Sequence, residues 1–229
     1  MKKHIIALAA VLVAFSANAQ TNLQTFYDFG RNYVTTTVEM FKGDEFGDTF
    51  FFIDHYYGDK GQGRSAVNGT YFEIERGINF WQDSEFKDLS AYVEYDGGSF
   101  GSSIFSVGAK YFLHSADFSK TFTAAVMYDK HFGLGTADIP VKFSGVWGIN
   151  NVLGVNGLIF KGFFDIWGNN NTFLDGSKAV DTKVSFLTEP QLWYSVCNHL
   201  DLGGEVEISS NFVCKGLKIN PCLGARWTF

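Results

Sequence analysis

The chain has 229 residues, 46% of them hydrophobic and 17% aromatic, with 18 basic against 24 acidic residues and a formal net charge of −6. A net-acidic chain lacks the basic footprint that nucleic acid requires, so no nucleic-acid partner is expected. Beyond the first residues, no stretch approaches the roughly 18–20 consecutive apolar residues of a membrane helix, which excludes a helical membrane protein.

The N-terminus reads as a targeting segment. Lys2 and Lys3 form a positive start, Ile5 to Phe15 is an apolar run too short to span a bilayer, and Ala17-Asn18-Ala19 is an A-x-A cleavage site. Residues 1–19 are therefore expected to be a cleaved signal peptide and 20–229 the mature domain. With Lys2 and Lys3 removed, 16 of the 18 basic residues stand against 24 acidic ones, a net charge near −8.

The mature chain is dominated by alternation with period two, the pattern of strands with two unlike faces. In chain order the predicted strands are Leu23–Phe29, Tyr33–Phe41, Thr49–Tyr57, Thr70–Ile78, Leu89–Asp96 and Ser103–Phe112. They continue with Phe122–His131, Val141–Asn150, Leu158–Trp167, Val180–Val196, Leu200–Phe212 and Leu217–Phe229. The last separates most cleanly, with Leu217, Ile219, Pro221, Leu223, Ala225, Trp227 and Phe229 on one face and Lys218, Asn220, Cys222, Gly224, Arg226 and Thr228 on the other. Between the strands, 58–69 and 169–179 are expected as long loops at one end, and 43–48 and 151–157 as short turns at the other. Pro190 and Pro221 fall inside predicted strands, where each removes a ladder hydrogen bond, and a bulge is expected at each.

Many strands, 25 Phe, 25 Gly and only 3 Pro suit an all-β protein with tight turns and aromatic girdles. Behind a signal peptide, the expected fold is a closed antiparallel transmembrane β-barrel of about twelve strands in outer-membrane lipid. A ten-strand barrel preceded by an N-terminal segment is the alternative, because only Gly30-Arg31-Asn32 separates the first two strands. Trp227 and the terminal Phe229 resemble the C-terminal signature by which the barrel-assembly machinery recognises outer-membrane barrels.

Alternation then puts the charges inside. A charge facing lipid at the midplane would cost about 2–4 kcal/mol. The expected wall carries Glu39, Asp54, Glu73, Glu75, Glu94, Asp96, Asp129, Asp165, Asp181, Glu189, Glu205 and Glu207, with Lys110, Lys142, Lys161, Lys183, Lys218 and Arg226 among them. It is also aromatic, through Phe26, Phe41, Phe50, Phe52, Tyr56, Tyr71, Tyr92, Phe163, Trp167 and Trp193. Rings beside carboxylates offer stacking area and acceptors to a flat, hydrogen-bonding solute.

Cys197, Cys214 and Cys222 form an odd set that admits one disulfide without choosing the pair. No C-x-x-C and no histidine pair at ligand spacing occurs, so no metal and no cofactor is expected. His131 beside Asp129 is the candidate dyad for an outer-membrane hydrolase or acyltransferase, but no G-x-S-x-G or H-E-x-x-H motif accompanies it, and no enzyme is expected.

Phe72-Glu73-Ile74-Glu75-Arg76 is similar to a Met-Glu-Ile-Glu-Pro-Arg segment of a family of outer-membrane barrels that has no assigned function. Phe51-Phe52-Ile53-Asp54 and Gly162-Phe163-Phe164-Asp165-Ile166-Trp167-Gly168 support the likeness, which extends to the Tsx-type nucleoside-specific outer-membrane channels. The proline is missing here, and the mature chain is short for a Tsx-type channel. The resemblance implies a twelve-stranded channel for small polar solutes, nucleosides among them. Its expected solute-binding residues are Phe50, Phe52, Asp54, Tyr71, Glu73, Glu75, Arg76, Glu94, Phe163 and Asp165. A structural or adhesive barrel without transport is the alternative function.

Overall fold

The computed structural model describes residues 19–58 and 68–229. The expected signal segment up to Asn18 and most of the expected 58–69 loop lie outside the described residues. Nearly all of the rest is strand, and no described helix is long and apolar enough to cross a membrane.

Thirteen hydrogen-bonded segments make twelve staves of one sheet. They are β1 (Gln20–Asp28), β2 (Tyr33–Asp44), β3 (Gly47–Tyr57), β4 (Asn68–Ile78), β5 (Leu89–Gly98), β6 (Ser102–His114) and β7 (Lys120–Gly133). Then follow β8 (Val141–Asn150), β9 (Leu158–Asp175), β10 (Lys178–Thr188), β11 (Gln191–Ser195), β12 (Leu200–Ser210) and β13 (Leu217–Thr228). Segments β10 and β11 are halves of one strand, both lying between β9 and β12. Each strand pairs antiparallel with its neighbour, and β1 pairs with β13 from Asn22↔Thr228 to Asp28↔Cys222. That last pairing closes the ring, so no sheet edge is left unpaired, the condition for strands to cross lipid. The short first strand is thus a full stave, and the ten-strand alternative is excluded.

Alternation sorts the side chains as expected. Ile53, Ile74, Phe105, Tyr128, Phe143 and Leu223 stand exposed on the outer surface. Gln24, Glu94, Ser106, Asp129, Lys142 and Arg226 are buried within the ring. An apolar outside around a polar inside is the inverse of a soluble sandwich and fits a lipid solvent.

Three expectations need correction. Neither proline makes a bulge. Across Pro190 the pairings Thr188↔Phe164 and Gln191↔Lys161 keep one register, because the Pro190 carbonyl still accepts from Val206 N at 3.0 Å and Glu189 N still donates to Phe163 O at 3.1 Å. Only the missing N–H is lost. At Pro221 the carbonyl accepts from Phe29 N at 3.0 Å, so the absent donor faces the very end of β1, where the ladder stops. Among the described residues, the shift in register lies instead between Thr182 and Val184, opposite Asn171 and Gly168.

Second, the polar stretch 169–179 is not a loop. Its residues continue β9 and β10 outward to the pair Asp175↔Lys178. Third, the connection 79–88 lies at the end that holds the chain termini and is held by Trp81 Nε1 to Leu89 O at 2.9 Å and Gln82 Nε2 to Glu45 O at 2.9 Å. Long connections are therefore not confined to one end; the far end is raised by extended strands. The one disulfide that the odd set of cysteines admits does not form: all three are free, Cys197 and Cys214 in connections and Cys222 buried in the lumen.

Candidate functional site: the lumen

The lumen is crossed. Lys161 on β9 places Nζ 3.4 Å from Glu39 Oε1 on β2, and these strands face each other across the ring. Asn22 Nδ2 and Gln24 Nε2 donate to the same Glu39 carboxylate at 3.0 and 3.2 Å. The bridge divides the interior into two unlike sectors.

The sector along β11, β12, β13 and β1 is filled. Trp193 is 0% exposed and meets Phe26 edge-on at 5.6 Å between centroids. Arg226 lies 4.9 Å over the Trp193 ring and bonds Asp201 Oδ2 through Nε at 2.8 Å. The indole N–H reaches Gln191 Oε1 at 2.9 Å, and Gln191 in turn donates to Glu205 Oε2 at 2.9 Å. Such close seating depends on two missing side chains. A Cβ on Gly203 would stand 2.9 Å from the Trp193 ring, and one on Gly224 would stand 2.6 Å from the Phe26 ring. Toward the far end the network continues through Arg31, which bonds Asp28 through Nε at 2.5 Å and also Glu207.

The other sector, along β3 to β9, is acidic. Glu73, Glu75, Glu94, Asp96, Asp129 and Asp165 share it with Lys142 and Lys110. Lys142 bonds Glu94 and lies 3.7 Å from Asp96 Oδ2, while Ser106 donates to Asp129 at 2.9 Å and Ser144 to Asp165. Phe50, Phe52 and Tyr71 run along its edge, with centroids 6.1 and 5.7 Å apart. The Tyr71 hydroxyl donates to Glu73 Oε2 at 3.2 Å and Tyr92 to Glu94 Oε2 at 3.2 Å. Asp54 accepts from Thr37 at 2.5 Å and Tyr56 at 3.2 Å. At the terminal end this sector widens into a cavity of about 250 Å³ bounded by Phe41, Asp48, Ser90, Lys110 and Thr123, where Lys110 pairs with Asp48 at 2.5 Å.

Of the ten expected solute-binding residues, nine occupy inward positions of β3, β4, β5 and β9, and the structure gathers them into this sector. Arg76 is the exception. It follows Glu75 directly, so alternation turns it to the opposite face, where it grips Asp44 through both terminal nitrogens at 2.7 and 2.8 Å. Asp181 and Lys183 also leave the wall: they sit on the far-end extension, exposed, with Thr172 and Asp138 as partners. Lys218 is exposed as well. The Asp129–His131 dyad does not form as an acid–base pair, since Asp129 Oδ1 takes the Ser106 hydroxyl and His131 Nε2 has no partner. Sequence reasoning missed Asp28, Arg31 and Tyr33. Asp28 and Tyr33 carry the inward parity of Phe26 and Thr35 and were findable; Arg31 lies in a turn, where periodicity is silent.

Comparison with known proteins finds a family and a shared fold. A family model described as "Domain of unknown function (DUF5020)" matches residues 19–229. A NanC porin structure aligns with a TM-score of 0.60 at 11% identity, over 91% of this chain and 100% of that one. A KdgM porin aligns at 0.52 and 6% identity over 92% and 99%, and a KdgM porin in complex with disordered oligogalacturonate at 0.51 and 9% over 92% and 99%. At such identities the likeness concerns the fold. No curated protein matches the sequence significantly.

Proposed function

The chain belongs to the DUF5020 family, and on that footing we propose that it is an outer-membrane channel passing small neutral or cationic polar solutes through its acidic sector. The observation that carries this reading is the balance of charge there: among the described residues, Asp48, Asp54, Glu73, Glu75, Glu94, Asp96, Asp129 and Asp165, eight carboxylates, stand with Lys142 and Lys110. In a narrow, low-dielectric lumen such a wall attracts cations and repels anions. An oligogalacturonate, the polyanion named with the KdgM porin, would be opposed by it.

Rings and acceptors refine the solute. Phe50, Phe52 and Tyr71 offer faces for stacking, and Asp54 and Glu73 accept hydrogen bonds at the same edge. A flat solute with hydroxyl and amino donors, such as a nucleoside, suits both features, in line with the Tsx-type resemblance. The recognition signature at Trp227 and Phe229 fits delivery by the barrel-assembly machinery after signal-peptide cleavage at Ala19.

The test is the reversal potential in planar bilayers under a salt gradient, with liposome swelling on nucleosides, sugars, amino acids and oligogalacturonate. The expected result is cation selectivity with nucleosides among the fastest solutes. Anion selectivity, or fastest swelling with oligogalacturonate, would overturn the reading. A second reading has its own support: the buried Trp193–Phe26 contact and the Glu39–Lys161 bridge suit a structural barrel without transport, and absence of any conductance would favour it.

A further inference from the structure

On the outer surface, two cross-strand rows run side by side at the end that holds the chain termini. Leu113, Phe122 and Trp147 form the first, through the pairs Leu113↔Phe122 and Phe122↔Trp147. Lys120, Ile149 and Phe160 form the second, through Lys120↔Ile149 and Ile149↔Phe160. All six share the outward parity of the exposed Phe105, Tyr128, Phe143 and Ile166 on their strands. The first row stops at Gly162, the partner of Trp147. A Cβ there would stand 2.6 Å from the Trp147 ring, so the indole leans over the glycine and meets Phe160 at 5.8 Å between centroids. Between the rows lies an open groove of about 620 Å³, within the roughly 300–1,000 Å³ of small-molecule sites.

The rim of this groove carries two opposite charges held apart. Ser115 and Lys120 line it, and the turn 115–119 joins them. In that turn Asp117 accepts from Ser115 Oγ at 2.6 Å, Ser119 Oγ at 2.8 Å and Ser119 N at 3.1 Å. The Ser115 and Ser119 donors fix the carboxylate and hold its pKa down to about 2. Lys120 and Asp117 are both exposed. Among the described residues neither forms an ion pair, with the other or with anything else.

We propose that this groove retains one phospholipid with a zwitterionic phosphoethanolamine headgroup, its phosphate at Lys120, its ammonium at Asp117 and an acyl chain along Phe122, Trp147 and Phe160. Lipid is the solvent of the outer face of a closed transmembrane barrel. Rings gathered at the strand ends mark the level of the headgroups, where a lysine lays its stem on apolar surface and its ammonium among them. A cation and a separately fixed anion answer both charges of a zwitterionic head. A purely anionic head would leave Asp117 unanswered. The site does not depend on whether solutes cross the barrel.

Native mass spectrometry of the full barrel in detergent tests this, with phosphatidylethanolamine, phosphatidylglycerol or phosphatidylcholine of one acyl composition. One phosphatidylethanolamine per chain should stay bound, and the other two should be retained less. Lys120→Gln should lower that occupancy about fivefold, the scale of one lysine at a lipid surface. Lys130→Gln, outward on the same strand at the far end, should leave it unchanged. Asp117→Asn keeps an acceptor for the turn and should remove the preference over phosphatidylglycerol. Brominated chains on the same headgroup should quench tryptophan fluorescence saturably at one equivalent, and Trp147→Phe should abolish that component. Absence of retained lipid, equal retention of the three headgroups, equal effects of Lys120→Gln and Lys130→Gln, or quenching that survives Trp147→Phe would each overturn the site. Retention without conductance would keep the site and remove the channel reading; conductance without retention would do the reverse.

Discussion

Lys161 and Glu39 are 122 residues apart in sequence and meet across the lumen, Nζ to Oε1 at 3.4 Å. The contact joins β9 to β2 and separates a filled sector from an acidic one. Its ends are partly exposed, so the pair contributes little to stability and much to the shape of the passage.

Lys161→Met should therefore leave the barrel folded and raise its single-channel conductance. Stability should change by no more than about 1 kcal/mol. Conductance in planar bilayers and heat-modified gel mobility check the two halves. An unchanged conductance would mean that the bridge does not limit the path.

Trp193→Ala acts on the other sector. It removes a fully buried indole together with its contacts to Phe26 and Arg226, and should cost about 3–5 kcal/mol in urea unfolding. The same change should open access to Cys222. In the parent barrel a water-soluble maleimide should label exposed Cys197 readily and buried Cys222 hardly at all, and mass mapping should find Cys222 labelled in the variant.

Lys142 is the buried cation of the acidic sector, bonded to Glu94. Lys142→Met leaves the carboxylates facing one another and should destabilise by about 3–5 kcal/mol. Adding Glu94→Gln should recover a large part of that loss, a coupling that a double-mutant cycle measures directly. Full additivity of the two changes would contradict the pairing.

Arg76→Ala tests the correction to the expected site. Its guanidinium grips Asp44 on the opposite face from the lumen, with both partners partly exposed. The loss should be about 1 kcal/mol or less, and swelling rates should be unchanged for every solute in the panel. A selective loss for one solute would return Arg76 to the lumen wall.

The chain order of the strands and the two faces of each were legible in the sequence. The separation of Leu217, Ile219 and Leu223 from Asn220, Cys222 and Arg226 is a local property of the pleat, in which neighbours point to opposite sides. That is why Glu73, Glu94 and Asp165 were found and why Arg76, taken by motif rather than by parity, was misplaced. The polar run 169–179 was misread because polarity suggested a loop, whereas strands rising beyond the membrane carry polar residues on both faces.

What only the tertiary structure decided is who meets whom inside. Closure of β1 on β13 fixes the circumference and stagger of the ring, and only then do Glu39 and Lys161 fall within reach. The seating of Trp193 over Gly203 and of Phe26 over Gly224 likewise depends on neighbouring strands brought together by register. Period two assigns a side chain to the lumen; the diameter of the closed barrel decides what it touches there.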